Sequence, residues 1–361
     1  MNYNTIRKKT KVLHIGGVSI GGEHPIAIQS MTNTDTCDAE ATLAQIKALA
    51  ARGCDIVRIT VPTLEAADTI LRIKENGVTV PVVADIHFDY KIALRCAEVG
   101  VDKIRINPGN IGDDERVREV CRACRAGGIP IRIGVNSGSL EKSILAKYGA
   151  PTAEALCESA MYHISLLERY DFEDIAVSIK ASDVTTMIAA NRMLSEKISY
   201  PIHLGVTEAG SERRGLVKSA IGIGSLLADG IGDTIRVSLT DDPLLEIDVA
   251  REILNALDID GQKQMNIVSC PTCGRTKIDL IDLVKRFEKA AKDEELLNVP
   301  IKVALMGCIV NGPGEAREAD IGIAGGRGEA LLFSHGETLC KIREEEIIPT
   351  LISKIKEMAA K

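Results

Sequence analysis

From Pro25 to about Leu257 the chain alternates short β-branched runs with longer stretches of helical periodicity. The runs predict strands over Pro25–Thr32, Asp55–Val61, Val80–His87, Lys103–Asn107, Ile129–Asn136, Asp174–Lys180, Pro201–Thr207 and Thr234–Thr240. Helices such as Ala39–Arg52 and Ala153–Arg169 fall between them. Eight βα units with right-handed crossovers close most simply into a TIM-type (βα)8 barrel, with an open doubly wound sheet as the competing topology. Ahead of the first strand, Lys11–Ile20 predicts a hairpin around Gly16-Gly17 that plugs the bottom of the barrel.

Successive strand residues point to opposite faces, so parity within each strand separates the two surfaces of the sheet. Val57 and Ile59 oppose Arg58 and Thr60. Ile104 and Ile106 oppose Arg105 and Asn107, and Ile131, Ile133 and Val135 oppose Arg132, Gly134 and Asn136. Ile175, Val177 and Ile179 oppose Ser178 and Lys180, Ile202 and Leu204 oppose His203, and Ile235, Val237 and Leu239 oppose Arg236, Ser238 and Thr240. The aliphatic set must meet the helices, which turns the polar set inward. A purely structural interior would hold layers of Val, Ile and Leu. Burying Arg58, Arg105, Arg132, Lys180 and Arg236 dry and unpaired costs several kcal/mol per ion, and the acids Asp85 and Glu208 are too few to neutralise five cations. Internal salt bridges are the bland explanation for any one of them. Five converging on one cavity predict a polyanionic ligand, a diphosphate for preference. Lys180 alone would also suit a Schiff base at a strand end.

Composition narrows the class. The 361 residues suit a barrel plus a smaller domain, with boundaries expected at 1–260 and 261–361. Hydrophobic residues make up 45% and aromatic residues 3%, which suits an Ile, Val, Leu and Ala core. The net charge of −7 argues against nonspecific nucleic-acid binding. No secretory or membrane-spanning run is seen, so a cytoplasmic protein with reduced thiols is expected.

Of the ten cysteines, Cys54, Cys96 and Cys157 read as small core residues. Cys121 and Cys124 are spaced as CxxC but lie within a helical run, Asp113–Ala126, and read the same way. Cys37 and Cys340 have no obvious partner in sequence. Cys270-Pro-Thr-Cys273-Gly follows an apolar pair and forms a tight knuckle. Cys308 lies downstream between Gly307 and an Asn-Gly-Pro-Gly turn that lets backbone approach a bulky object. Three thiolates leave a tetrahedral metal site one ligand short. Spacing alone leaves zinc and an iron–sulfur cluster open.

The runs Ser269-Cys-Pro-Thr-Cys-Gly-Arg-Thr276 and Val303-Ala-Leu-Met-Gly-Cys-Ile-Val-Asn-Gly-Pro-Gly-Glu-Ala316 resemble the cluster signature of the GcpE (IspG) family. Gln29-Ser-Met-Thr-Asn-Thr34, Val206-Thr-Glu-Ala-Gly210 and Arg236-Val-Ser-Leu-Thr240 resemble its barrel motifs, so the likeness covers nearly the whole chain. The resemblance implies a two-domain α/β protein, a barrel followed by a smaller α+β domain. It also implies a 4Fe-4S cluster held by Cys270, Cys273, Cys308 and Glu315, the last an exchangeable oxygen ligand. The implied substrate is 2-C-methyl-D-erythritol 2,4-cyclodiphosphate, opened and dehydrated with two electrons from reduced flavodoxin or ferredoxin. Arg58, Arg105, Lys180, Arg236 and Ser238 are then expected to grip the diphosphate, with Arg132 among them by parity. Glu208 would handle the proton of the departing hydroxyl, and His87, Asn107 and Asn136 stand at the barrel mouth. The family further implies a head-to-tail homodimer in which one subunit's cluster caps the other's barrel. The C-terminal domain is expected to run β-α-β, hairpin, helix, with strands Ile301–Met306 and Asp320–Ala324 and helices Asp279–Lys292 and Glu345–Ala359.

Two other functions compete. One is a barrel aldolase or lyase using Lys180, with a structural zinc at the knuckle. The other is a zinc-ribbon protein acting on nucleic acid, which the acidic balance and inward arginines disfavour.

Overall fold

The computed structural model describes residues 6–259, 265–309, 314 and 316–360, and the chain divides into two compact units, Met1–Ile259 and Asp260–Lys361. Part of the expected linker, Asp260–Gln264, lies outside the described residues, as does Glu315.

In the first unit, β1 (Leu13–Ile15) and β2 (Val18–Ile20) form an antiparallel hairpin turning at Gly16, whose φ is +54°. Eight parallel strands follow: β3 (Ala27–Met31), β4 (Ile56–Thr60), β5 (Val82–Asp85), β6 (Lys103–Ile106), β7 (Ile131–Asn136), β8 (Ile175–Lys180), β9 (His203–Leu204) and β10 (Thr234–Ile235). They pair in the order β8-β7-β6-β5-β4-β3-β10-β9, and a bridge between Val177 and Ile202 joins the two ends of that order. The sheet is a barrel, and the open alternative falls.

Helices cover the outside. Asp38, Thr63, Asp89, Asp113, Thr152 and Asp183 each accept a first-turn backbone N–H, giving the helices that follow defined starts. The aliphatic parity set (Val57, Ile59, Ile104, Ile106, Ile131, Ile133, Ile175 and Val177 among it) is buried in the layer between strands and helices. Cys54, Cys96, Cys121, Cys124 and Cys157 belong to the same layer, where burial pushes the thiols of Cys96 and Cys121 up to about 12. The CxxC of the helix over Asp114–Gly127 is core packing. At the bottom, Leu13, Ile15 and Ile20 pack against the inward Ala27, Ile56, Val83 and Ala176, so the hairpin stoppers the barrel.

The last two barrel strands are much shorter than the expected Pro201–Thr207 and Thr234–Thr240. Arg236 still donates its N–H to Leu204 O at 2.9 Å, but Leu239 N–H goes to the Glu246 carboxylate at 3.1 Å. A side chain has taken a ladder position, and the strand ends where the mouth opens.

The second unit runs β11 (Asn266–Ser269), a helix over Leu280–Asp293, β12 (Lys302–Met306), β13 (Ile321–Gly325), β14 (Glu329–Ser334), β15 (Glu337–Arg343) and a helix over Ile347–Ala359. Its sheet has the order β11-β12-β13-β14-β15, parallel through β13 and antiparallel beyond. Leu283 and Phe287 from one helix and Leu351 and Ile355 from the other cover Leu305 and Ile323. Among the described residues no helix is long and apolar enough to cross a membrane.

Candidate active site and metal centre

Inward parity places Arg58 on β4, Asp85 on β5, Lys103 and Arg105 on β6, Arg132 on β7, Lys180 on β8 and His203 on β9 within one interior. Lys103 escaped the sequence reading. It opens its strand and shares the parity of Arg105, and it is fully buried. Arg132 is 1% exposed, and Arg105 and Lys180 are each 7% exposed.

Two carboxylates answer these cations. Asp85 takes Arg58 Nη2 at 3.0 Å and Arg105 Nη1 at 3.1 Å. Arg236 lies 3.3 Å from Glu246, which also accepts from Ser30 Oγ at 2.8 Å. Glu208 had been expected as the second acid of the interior. Glu246 takes that place, reaching in from the helix over Pro243–Ala256, where strand parity gives no sign of it. Six cations therefore share two acids, and the shortfall shows as orphaned donors. Nε and Nη1 of Arg132, Nε of Arg58 and Nζ of Lys103 are buried without a partner among the described residues, as are both amide atoms of Gln29 on β3. Native interiors rarely leave such groups unpaired, and a cluster of them marks a place for an acceptor.

The electrostatics agree. Burial, then the charges of Arg236 and Arg132, depresses the Lys180 ammonium well below its ordinary value. Burial, then Arg132 and Arg58, does the same to Lys103, while burial and Arg58 depress Arg132. Arg58 falls to about 10 through burial, which its neighbour Asp85 offsets in part. Burial opposes ionisation of Asp85, yet Arg58 and Arg105 outweigh it and hold the carboxyl at about 2. His203 is kept neutral by burial and by Arg132.

Two glycines make the close approach possible. A Cβ on Gly134 would sit 2.3 Å from Arg105 Nε, and one on Gly205 would sit 2.8 Å from Lys180 Nζ. Any side chain at either position would displace a cation from the interior.

At the mouth, Asn136 accepts from Arg105 Nη2 at 3.1 Å when its amide is turned to satisfy both neighbours. Asn107 is buried, and its Oδ1 accepts from Gly109 N–H at 3.1 Å, capping the turn after β6. His87 is half-exposed with Nε2 3.8 Å from Asp85, and Ser238 is partly buried beyond β10. Glu208 is exposed and takes φ +52°, a left-handed conformation uncommon outside glycine and asparagine. Asp171, Asp258, Glu295 and His335 share that conformation, so the backbone alone does not single Glu208 out.

In the second unit, Cys270 follows β11 and Cys308 lies two residues beyond β12. The two strands are parallel neighbours, with Ser269 opposite Leu305. Gly307 N–H donates to Cys270 Sγ at 3.3 Å, and Gly307 O accepts from Lys277 N–H at 3.0 Å. Cys273, exposed, is held by a turn in which its N–H donates to Thr276 Oγ1 at 3.1 Å. A Cβ on Gly307 would lie 2.7 Å from Thr276 Cγ2, so the loops approach this closely only through glycine. Among the described residues no three His, Cys, Asp or Glu side chains are gathered into a ready-made metal group. What the fold does supply is three thiols on loops laced together past the ends of adjacent strands. One of their sulfurs already accepts a backbone N–H, the bond that stabilises a metal-bound thiolate. That donor set fits a thiolate-ligated cluster.

A family model described as the GcpE TIM-barrel domain matches residues 10–251, and one described as the GcpE protein C-terminal domain matches residues 266–357. A relative from Ruminiclostridium cellulolyticum, named 4-hydroxy-3-methylbut-2-en-1-yl diphosphate synthase (flavodoxin), is 57% identical over 352 residues, 98% of each chain. One of the same name from Fusobacterium nucleatum is 54% identical over 352 residues, again 98% of each chain. Among solved structures, a dihydropteroate synthase of Yersinia pestis superposes with a TM-score of 0.50 at 10% identity, covering 68% of this chain and 98% of its own. That likeness is one of fold alone.

Proposed function

The chain belongs to the GcpE family, and on that premise we propose the chemistry of its barrel and thiol loops. It is a 4-hydroxy-3-methylbut-2-en-1-yl diphosphate synthase, an iron–sulfur oxidoreductase of the methylerythritol phosphate pathway of isoprenoid biosynthesis. It opens and dehydrates 2-C-methyl-D-erythritol 2,4-cyclodiphosphate to (E)-4-hydroxy-3-methylbut-2-enyl diphosphate, with flavodoxin as electron donor. The barrel aldolase with structural zinc is set aside by this kinship.

One observation carries the assignment of the site: Arg132 and Lys103 are buried with donors that nothing among the described residues satisfies. A diphosphate supplies the missing acceptors. Arg58 and Arg105 are pre-aimed by Asp85, Arg236 by Glu246, and Lys180 stands over Gly205. The cations then bind charge without reorganising. Ser238, Asn107, Asn136 and His87 line the approach, and Glu208, exposed at the rim, delivers the proton that turns the departing hydroxyl into water. Cys270, Cys273, Cys308 and Glu315 would hold a 4Fe-4S cluster, which when bound supplies single electrons. The remaining proposals are a head-to-tail homodimer, ferredoxin as a substitute donor and a cytoplasmic location. The deciding experiment is anaerobic turnover of the cyclodiphosphate by the iron- and sulfide-loaded protein with a strong artificial reductant. Absence of the allylic diphosphate among the products would refute the reading.

Binding should also move protons. Lys180 and Lys103 titrate well below the ordinary lysine value because they are buried among cations, so an incoming polyanion raises them and they take up protons. Calorimetry in buffers of different ionisation enthalpy near neutral pH is expected to show net uptake. No uptake would mean that both amines were already charged.

A further inference from the structure

Below the mouth, on its outer side, lies an ionisable pair that the proposed chemistry does not use. His163 sits in mid-helix over Ala153–Glu168, fully buried, and its Nε2 is hydrogen-bonded to Oε1 of Glu141. Glu141 ends the loop after β7 and begins the helix over Lys142–Tyr148. Nδ1 of His163 is buried with no partner among the described residues, and the Glu141 carboxylate is held mainly by His163, with Ser159 of the same helix beside it. An apolar pair would fill the same space without that penalty, so stability alone does not explain the choice.

The third element at this point is the turn after β6. A Cβ on Gly109 would lie 2.9 Å from His163 Cε1, 3.4 Å from Glu141 Oε1 and 3.4 Å from Asn107 Oδ1. The turn is thus pressed onto the imidazole and the carboxylate together. Asn107 stands two residues before that glycine and is hydrogen-bonded to it. Asn136 stands five residues before Glu141 and is bonded to Arg105. One pair therefore ties together the two loops that carry the mouth asparagines. Its fixed end is a helix packed on β7 and β8, and its movable end is a loop.

We propose that Glu141 and His163 are positioning residues: they pin the turn after β6 to the loop after β7 and so set Asn107 and Asn136 over the cationic interior for the diphosphate. The inference rests on the function proposed above for its effect on substrate, and on geometry alone for its effect on the loops.

The test uses the cluster-loaded enzyme and the variants Glu141→Ala, Glu141→Gln and His163→Leu. By calorimetry, Glu141→Ala and His163→Leu should weaken cyclodiphosphate binding about tenfold and raise KM to match, with kcat changed by less than about twofold, as for contacts shared by ground and transition states. Glu141→Gln keeps an acceptor for Nε2–H and should restore binding to within about twofold. Hydrogen exchange on the substrate-free protein should be about tenfold faster at the amides of 107, 109–112 and 136–141 in the two disabling variants, and unchanged in the rest of the barrel. Unchanged protection of those amides in Glu141→Ala overturns the proposal whatever the substrate is. So does Glu141→Gln behaving like Glu141→Ala. If His163→Leu does not fold, Glu141→Ala decides, since its carboxylate lies nearer the surface. A wild type that binds no cyclodiphosphate sinks the functional reading instead, while the exchange data still judge the clamp.

Discussion

Arg132→Met is expected to unfold at a higher temperature than the wild type and to lose the cyclodiphosphate. Arg132 is 1% exposed, and neither its Nε nor its Nη1 finds an acceptor among the described residues. Its charge lies among those of Arg58, Arg105 and Arg236, offset in part by Asp85. The proposed diphosphate would relieve this desolvation and repulsion. Methionine keeps much of the stem's volume and removes the charge, which should stabilise the ligand-free protein by about 1–2 kcal/mol, the scale seen when buried ions are replaced by apolar groups. In a domain of this size that is a rise of roughly 2–8 °C in Tm. Loss of a buried charge-assisted contact to phosphate costs about 3–5 kcal/mol, roughly a hundred- to several thousandfold in affinity. Thermal melts and calorimetry measure the two effects on one sample. A lower Tm with intact affinity would show that Arg132 is a structural member of the barrel and that the ligand lies elsewhere.

Serine at Cys270 or at Cys273 should reduce turnover to background and lower the bound iron and acid-labile sulfide, because a hydroxyl is a poor substitute for a thiolate toward iron. The two variants should differ in a second respect. Cys270 accepts from Gly307 N–H and packs against both apolar groups of its domain, so Cys270→Ser is expected to melt lower even without iron. Cys273 is exposed and its thiol supports no packing, so Cys273→Ser should leave the metal-free melting temperature unchanged. Iron and sulfide analysis with melts of the metal-free proteins would settle both points. Full iron and sulfide in either variant would remove that cysteine from the ligand set.

The barrel is legible in the sequence because period two is a local property. Each strand from β4 to β8 carries enough alternating residues for Arg58, Arg105, Arg132 and Lys180 to declare their side. Lys103 shares the parity of Arg105 but opens its strand, and a lysine at a strand end is ordinarily solvated, so alternation alone does not mark it as buried. Glu246 is hidden for a different reason. It lies on a helix, where nothing in the spacing says that its carboxylate crosses to Arg236 and takes Leu239 N–H out of the ladder. The Glu141–His163 pair needed two loops and a helix brought together in space, and sequence separation conceals that. The spacing of the thiols points to a metal but does not place one. The choice of metal, and Glu315 as a ligand, came only from likeness to a family.

The hairpin of Leu13–Ile20 has a consequence for traffic. By filling the inward layer of Ala27, Ile56, Val83 and Ala176 with its own aliphatics, it leaves the interior a cul-de-sac. With the diphosphate bound where we propose, reactant and product would share one doorway, and each turnover would end with a departure before the next arrival. The product, held by the same guanidinium groups, would then compete directly with the incoming reactant, and added allylic diphosphate is expected to inhibit turnover competitively.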